Sequence, residues 1–286
     1  MRVKASPVVV TKRDVEVLTL IGLCKFMTTA QVARAIFPSE DRCRRRLRRL
    51  FDAGLVAVTL GDSASPNLYS LTKQGVAAVA DHDLAVVPRL RLAGSIRLSA
   101  APHALAVVDV RLYLAALEEH GEGELLAWES GSSGLAREAG LVDCRVEPDA
   151  LVELRLGEGV RRVAVEVDCG TETATVLGSK FSRYVGPLRA GDVDEIWFVV
   201  VAGVKRQAHI AALAESAGVG RSVRVFAHEH TLARPVLPLP RGTSGDTKWG
   251  EAPNSGGSAM RIRDVQREVA ANHPARDRRV VGRVVR

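Results

Sequence analysis

The sequence predicts two folded units: an α+β unit of short helices closed by a hairpin, then an α/β unit on a mixed sheet. Three observations carry this reading. A length of 286 residues suits two domains at roughly 100–200 residues each. Up to about residue 80, three segments show helical apolar spacing and two extended runs follow. Between residues 103 and 230, helical patterns alternate with strand-sized apolar runs. The 47% hydrophobic and 26% charged content is that of a globular chain, and it excludes collagen, a coiled coil and a wholly disordered protein.

In the first unit, Thr11 caps a helix with an apolar face of Val15, Leu18, Ile21 and Leu23. Thr28 or Thr29 caps a second helix, with Val32, Ala33 and Ile36 inward and Pro38 ending it. A third runs from about Ser39 to Ala53. Its inward stripe is Cys43, Leu47, Leu50 and Phe51, and Gly54 is its C-cap. Arg42 stands three residues after Ser39, so Ser39 is a plain cap and not half of a capping box. Leu55–Leu60 and Asn67–Leu71, joined by GDSASP, form a hairpin, and Thr72 caps a short helix over Lys73–Ala80. Three helices and a hairpin in this order read as a winged helix-turn-helix over residues 1–85, with 86–102 as a linker.

The third helix carries Arg42, Arg44, Arg45, Arg46, Arg48 and Arg49, with no acid between residues 42 and 51. A recognition helix in the major groove needs such side chains for phosphates and guanine edges. A merely solvated helix face would accept Glu or Lys equally well. The charge distribution agrees. Residues 1–102 hold 16 Lys and Arg against 8 Asp and Glu, residues 103–240 hold 14 against 20, and residues 241–286 hold 10 against 5. A basic head and tail around an acidic middle point to double-stranded DNA as partner and to a separate acidic site. A homodimer is compatible with that partner.

The second unit begins with an amphipathic helix over His103–His120, with Leu105, Val108, Leu112 and Leu117 apolar. A strand over Glu124–Glu129, a glycine-rich loop (GSSGLAREAG) and a hairpin of Asp149–Leu156 with Arg161–Asp168 follow. Ala174–Tyr184 is a helix with Val176, Leu177 and Phe181 apolar. Glu195–Val201 is a strand buried on both faces, Lys205–Ser216 a helix and Ser222–His228 the last strand. Residues 233–286 read as a flexible basic tail, rich in Pro, Gly and Ser, with a short helix around Met260–Ala271.

Alternation puts Glu166 and Asp168 on one face of their strand, and Asp149 opens the strand before it. Carboxylates at strand ends can hold Mg²⁺, a hard ion that prefers oxygen. Lys180 on the next helix can reach the same place, with Tyr184 one turn on. Asp149, Glu166 and Asp168 as metal ligands with Lys180 as charge stabiliser suit phosphodiester hydrolysis. Asp109 is expected to pair with Arg111 or Arg97, and His103 to be a helix-start residue. The histidines His228 and His230 read as structural.

Pro148-Asp149 followed by Glu166-Val167-Asp168 resembles the PD-(D/E)xK nuclease superfamily and implies its restriction-endonuclease-like fold. The sequence departs at the third element, where Asp168 stands in place of the lysine; Lys180 would be that lysine moved to the following helix. The whole chain, over roughly residues 11–230, is similar to the replication-relaxation family of bacterial plasmids and mobile elements. The carrying residues are Arg49-Leu50-Phe51 with Gly54-Leu55-Val56, Tyr69-Ser70-Leu71-Thr72 with Gly75, and His103 with Asp109. They continue with Pro148-Asp149-Ala150, Glu166-Val167-Asp168 with Gly170-Thr171, and Lys180 with Tyr184. This resemblance implies a DNA-binding unit joined to a nuclease-like unit, acting in replication, mobilisation or relaxation. Two activities stay open at this point: a Mg²⁺-dependent DNA nuclease, or a non-catalytic DNA-binding regulator.

Other classes find no support. The longest apolar runs, such as Ile196–Ala202, are strand-sized against the roughly 20 residues of a membrane helix. MRVKASPVVVTKRD lacks the apolar core of a signal peptide. Cys24, Cys43, Cys144 and Cys169 form no CxxC pair, which argues against a zinc ribbon or a disulfide framework and for a reducing cytoplasm. No Walker or dinucleotide glycine motif is present.

Overall fold

The computed structural model describes residues 9–61, 65–92, 100–130, 141 and 143–232. The glycine-rich loop and the tail readings lie outside them.

Helix α1, Lys12–Cys24, starts at a capping box in which Thr11 N–H and Oγ1 donate to Asp14 Oδ2, both at 2.6 Å. Its buried residues include the expected Leu18 and Ile21, with Asp14 and Val17 beside them, while Val15 and Leu23 are only partly buried. The helical period holds, but the face also takes in a carboxylate, which apolar spacing alone does not show. Asp14 is 0% exposed and is bound by Arg46 through Nε at 2.5 Å and through Nη2.

Strand β1, Met27–Thr28, leads into α2, Thr29–Ile36, whose cap is Thr28 paired reciprocally with Gln31. Helix α3, Glu40–Asp52, buries Cys43, Leu47 and Leu50. Phe51, expected inside, is 41% exposed and lies beneath the Arg48 guanidinium. Strands β2, Val56–Thr59, and β3, Leu68–Leu71, form the hairpin, and α4, Lys73–Ala80, follows from its Thr72 cap. The sheet has three antiparallel strands in the order β1-β3-β2. The two residues of β1 are too few to show alternation in a sequence. Gly75 opens α4 against the hairpin, where a Cβ would lie 2.2 Å from the Leu55 carbonyl oxygen.

Helix α5, Ala101–Ala115, is buried nearly all round and is not the amphipathic helix expected. Val108 and Leu112 complete the core of the first unit, with Leu18, Ile21 and Leu47. Ala106, Val110 and Leu114 pack on the second sheet, against Trp128, Val152 and Val163.

That sheet comprises β4 (Glu124–Glu129), β5 (Ala150–Leu156), β6 (Gly159–Asp168), β7 (Glu195–Val200) and β8 (Val223–Ala227), in chain order. The pairs β4·β5 and β5·β6 are antiparallel, and β6·β7 and β7·β8 parallel. Parallel pairs need crossovers, supplied by α6 (Ala174–Ala190) and α7 (Val204–Ser216) on the face opposite α5. A short α8, His228–Leu232, follows β8. Helix α6 runs past the expected end at Tyr184 and contains Pro187. Its Leu177 and Phe181 are buried, whereas Val176, read as apolar face, is 47% exposed. The double-faced burial expected of β7 is complete at all six positions. Among the described residues no helix is long and apolar enough to cross a membrane.

Because α5 belongs to both cores, Leu112→Ala and Leu114→Ala should each lower the unfolding free energy by about 2–5 kcal/mol. In urea melts, tryptophan fluorescence and far-UV circular dichroism should shift together for both variants. Transitions that separate would show the two cores melting independently.

Candidate functional site

The register Ala150↔Val165, continued by one residue, sets Asp149 beside Glu166. On β6, Val163, Val165 and Val167 face α5, while Ala164 shares the opposite core with α6 and α7. Alternation therefore turns Glu166 and Asp168 towards α6 and α7. From α6, Tyr184 donates its hydroxyl to Glu166 Oε1 at 2.7 Å and Lys180 Nζ donates to Oε2 at 3.0 Å. Lys180 also reaches Glu172 Oε2 at 3.2 Å. Asp149 Oδ2 accepts the Val167 backbone N–H at 2.7 Å and meets His103 Nε2 at 3.1 Å. Glu166 and Lys180 thus meet directly, and Asp149 lies beside Glu166, near enough for its charge to act on that carboxyl.

Glu166 is 2% exposed. Burial pushes its carboxyl up to about 7, helped by the nearby Asp149 charge and opposed by Lys180 and Tyr184. Burial works against the Lys180 ammonium, yet the charges of Glu166 and Glu172 hold it above its ordinary range. The Tyr184 hydroxyl is driven well up, by burial first and by Glu166 second. His103, read as a helix-start residue, is a neighbour of this site: its hydrogen bond to Asp149 raises its pKa despite burial.

Asp168 is differently engaged. Arg206, in the first turn of α7, grips it bidentately, with both N···O distances 2.8 Å, and donates to the Glu172 carbonyl at 2.7 Å. The sequence pattern placed Asp168 on the same face as Glu166, and an arginine early in the second crossover helix was the signal that could have exposed this pair. For Mg²⁺ the donor set is therefore spoken for. Both Asp168 oxygens bind Arg206, and both Glu166 oxygens accept protein donors. Among the described residues no group of three His, Cys, Asp or Glu side chains could hold an ion. As arranged, these residues do not fit a resident Mg²⁺.

The six arginines of α3 divide into two sets. Arg46 is drawn inward to Asp14, Arg44 bonds Glu40 and Asp41, and Arg48 bonds Asp52. Arg42, Arg45 and Arg49 are exposed and make no ion pair among the described residues. With Lys12 and Arg13 of α1 they line a cleft of about 550 Å³.

Asp109 of α5 is 7% exposed. It accepts from Gln31 Nε2 at 3.0 Å and Arg34 Nη2 at 2.7 Å, and meets His228 Nε2 at 3.1 Å. These, and not Arg111, are its partners; Arg111 stacks over Trp128 at 5.5 Å, and Arg97 lies outside the described residues. Burial would raise Asp109, but His228, Gln31 and Arg34 hold it below the ordinary carboxylate range.

A basic helix-and-hairpin unit fused through a shared helix to a mixed α/β sheet, with a buried carboxylate–lysine cluster, defines the class. The family model for replication-relaxation matches residues 18–194, and the chain belongs to that family. The match spans α3 as well as Asp149, Glu166 and Lys180. Membership points to a role in plasmid or mobile-element replication or relaxation. No curated protein matches the chain.

Glu166 binds its proton more tightly in the folded state than in the unfolded chain. Its contribution to stability is fully present below about pH 4.5 and is lost as pH rises through about 7. Relative to Glu166→Gln, the wild type should lose on the order of 3 kcal/mol across that window. Urea melts at several pH values measure the difference, and parallel pH profiles would contradict the buried carboxyl.

Proposed function

We infer that this protein binds double-stranded DNA in plasmid or mobile-element replication or relaxation, with its first unit acting as a winged helix-turn-helix. The carrying observation is the trio Arg42, Arg45 and Arg49. Spaced by three and then four residues, they share one exposed face of α3 without a carboxylate partner, beside Lys12 and Arg13. Like charges at that spacing repel on an isolated helix; a row of phosphates reverses the sign of the interaction. The helix–helix–helix–hairpin order, with Gly75 closing the hairpin against α4, supports the same reading.

The test separates binding arginines from a structural one. In Arg42→Ala/Arg45→Ala/Arg49→Ala, the slope of log affinity against log salt for duplex DNA should become shallower by about 0.9 for each phosphate no longer neutralised. Arg46→Ala should leave that slope unchanged. It should instead cost about 3–5 kcal/mol of stability, because it strands the buried Asp14. Equal slopes for the triple variant and the wild type would remove the α3 assignment.

A second reading, a metal-dependent endonuclease, draws on the meeting of Asp149, Glu166 and Lys180 and on the resemblance to PD-(D/E)xK enzymes. The commitment of the Glu166 and Asp168 oxygens to Lys180, Tyr184 and Arg206 favours the non-catalytic reading. Supercoiled plasmid should therefore stay supercoiled in Mg²⁺ or Mn²⁺. Nicking that requires the ion and disappears in Glu166→Gln would establish the nuclease instead.

A further inference from the structure

A second basic cleft opens at the other end of α1. Its volume is about 790 Å³. Lys25, Arg89 and Arg91 line one side, and Arg111, His103 and Asp149 lie on α5 and near the sheet. The Gly22 carbonyl fixes the first side. It accepts the Arg91 backbone N–H at 2.8 Å and the Lys25 N–H at 3.4 Å, so both exposed side chains sit at the end of α1. Neither Lys25 nor Arg91 makes an ion pair among the described residues. The carboxylates in the lining are Glu129 and Asp149, and Asp149 is engaged by His103 and the Val167 N–H.

Two properties narrow the occupant. The cations call for a polyanion, and the volume lies in the range of small-ligand sites, roughly 300–1,000 Å³. Such a space admits a nucleotide or two of single strand and excludes a duplex. At 1.5 Å per residue, the 13 residues of α1 set the two basic clefts on the order of 20 Å apart. A strand leaving a duplex seated on α3 can span that distance in a few nucleotides.

We propose that this second cleft holds a single-stranded DNA segment by its phosphates, so that the protein grips a junction, with duplex on α3 and single strand beside Asp149. The proposal deepens the DNA-binding reading and rests on it. Lys25 and Arg91 neutralise backbone phosphates without reading sequence, as in other single-strand grooves.

The test uses the full chain and fluorescence anisotropy with three probes: labelled oligothymidine, a labelled duplex and a fork with one single-stranded arm. Lys25→Gln/Arg91→Gln removes both charges from exposed positions and keeps a Cβ at the positive φ of Lys25 (69°). For oligothymidine this variant should have a salt slope shallower by about 0.7 for each phosphate left without its cation. Duplex binding should be unchanged, and the preference of the wild type for the fork over the duplex should vanish. Oligothymidine binding that is unaltered, or duplex and oligothymidine weakened equally, overturns the proposal. Polyglutamate competing as well as oligothymidine also overturns it, in favour of an acidic protein partner. The α3 triple variant keeps the two readings apart. If its duplex binding is normal, the α3 reading falls, while the oligothymidine arm still decides the cleft.

Discussion

A carboxylate buried on a helix that is covered nearly all round must be ringed by donors, and Asp109 meets that condition in a way that ties α2 and α8 to the helix both cores share. Its donors come from α2, through Gln31 and Arg34, and from α8, through His228. Helix α5 already belongs to both cores through Val108 and Leu112 on one side and Val110 and Leu114 on the other. Apolar packing brings the units together but tolerates sliding. A buried hydrogen-bonded charge does not, since a displaced partner leaves a desolvated charge exposed to a low dielectric. Asp109 therefore fixes how α2 and α8 sit against α5, the helix that both cores share.

The same device recurs at smaller scale. Asp14 locks α1 to α3 through Arg46, Glu166 locks β6 to α6 through Lys180 and Tyr184, and Asp168 locks β6 to α7 through Arg206. Glu195 does so at the start of β7, with Arg224 and the Trp197 indole. Buried ion pairs contribute little net stability compared with apolar packing, because desolvation offsets attraction. Their effect is to select one arrangement over its neighbours. The cluster at the end of β6 is built from the same kind of pair, and this is why its carboxylates have few oxygens left for a cation.

The basic surface follows a complementary rule. Arginines near Asp14, Glu40, Asp41 and Asp52 are neutralised within the protein. Those on the adjoining exposed strip of α3, Arg42, Arg45 and Arg49, make no ion pair among the described residues and keep their charge for the outside. Helix α1 carries the pattern further, with cations in the cleft at its start and in the cleft at its end.

By itself the sequence determined the order of the longer helices and strands and the alternation on β6, because both are local. Thr11, Thr28 and Thr72 cap helices by bonds to groups three residues away, and period two fixes which face Glu166 and Asp168 take. From those rules Asp149, Glu166 and Lys180 could be placed together. What only the tertiary structure decided was which charge meets which. Arg46 turning inward, Arg206 closing on Asp168 38 residues away, His103 reaching Asp149 and His228 reaching Asp109 all join segments distant in the chain. No periodicity records such pairs, because a buried charge is satisfied by whichever partner the packing brings within hydrogen-bond reach. For the same reason Val15 was counted in the buried face of α1, and α5 was taken for an amphipathic helix: the first face takes in a buried carboxylate and the second helix is covered on both sides, and neither neighbour can be read from local sequence.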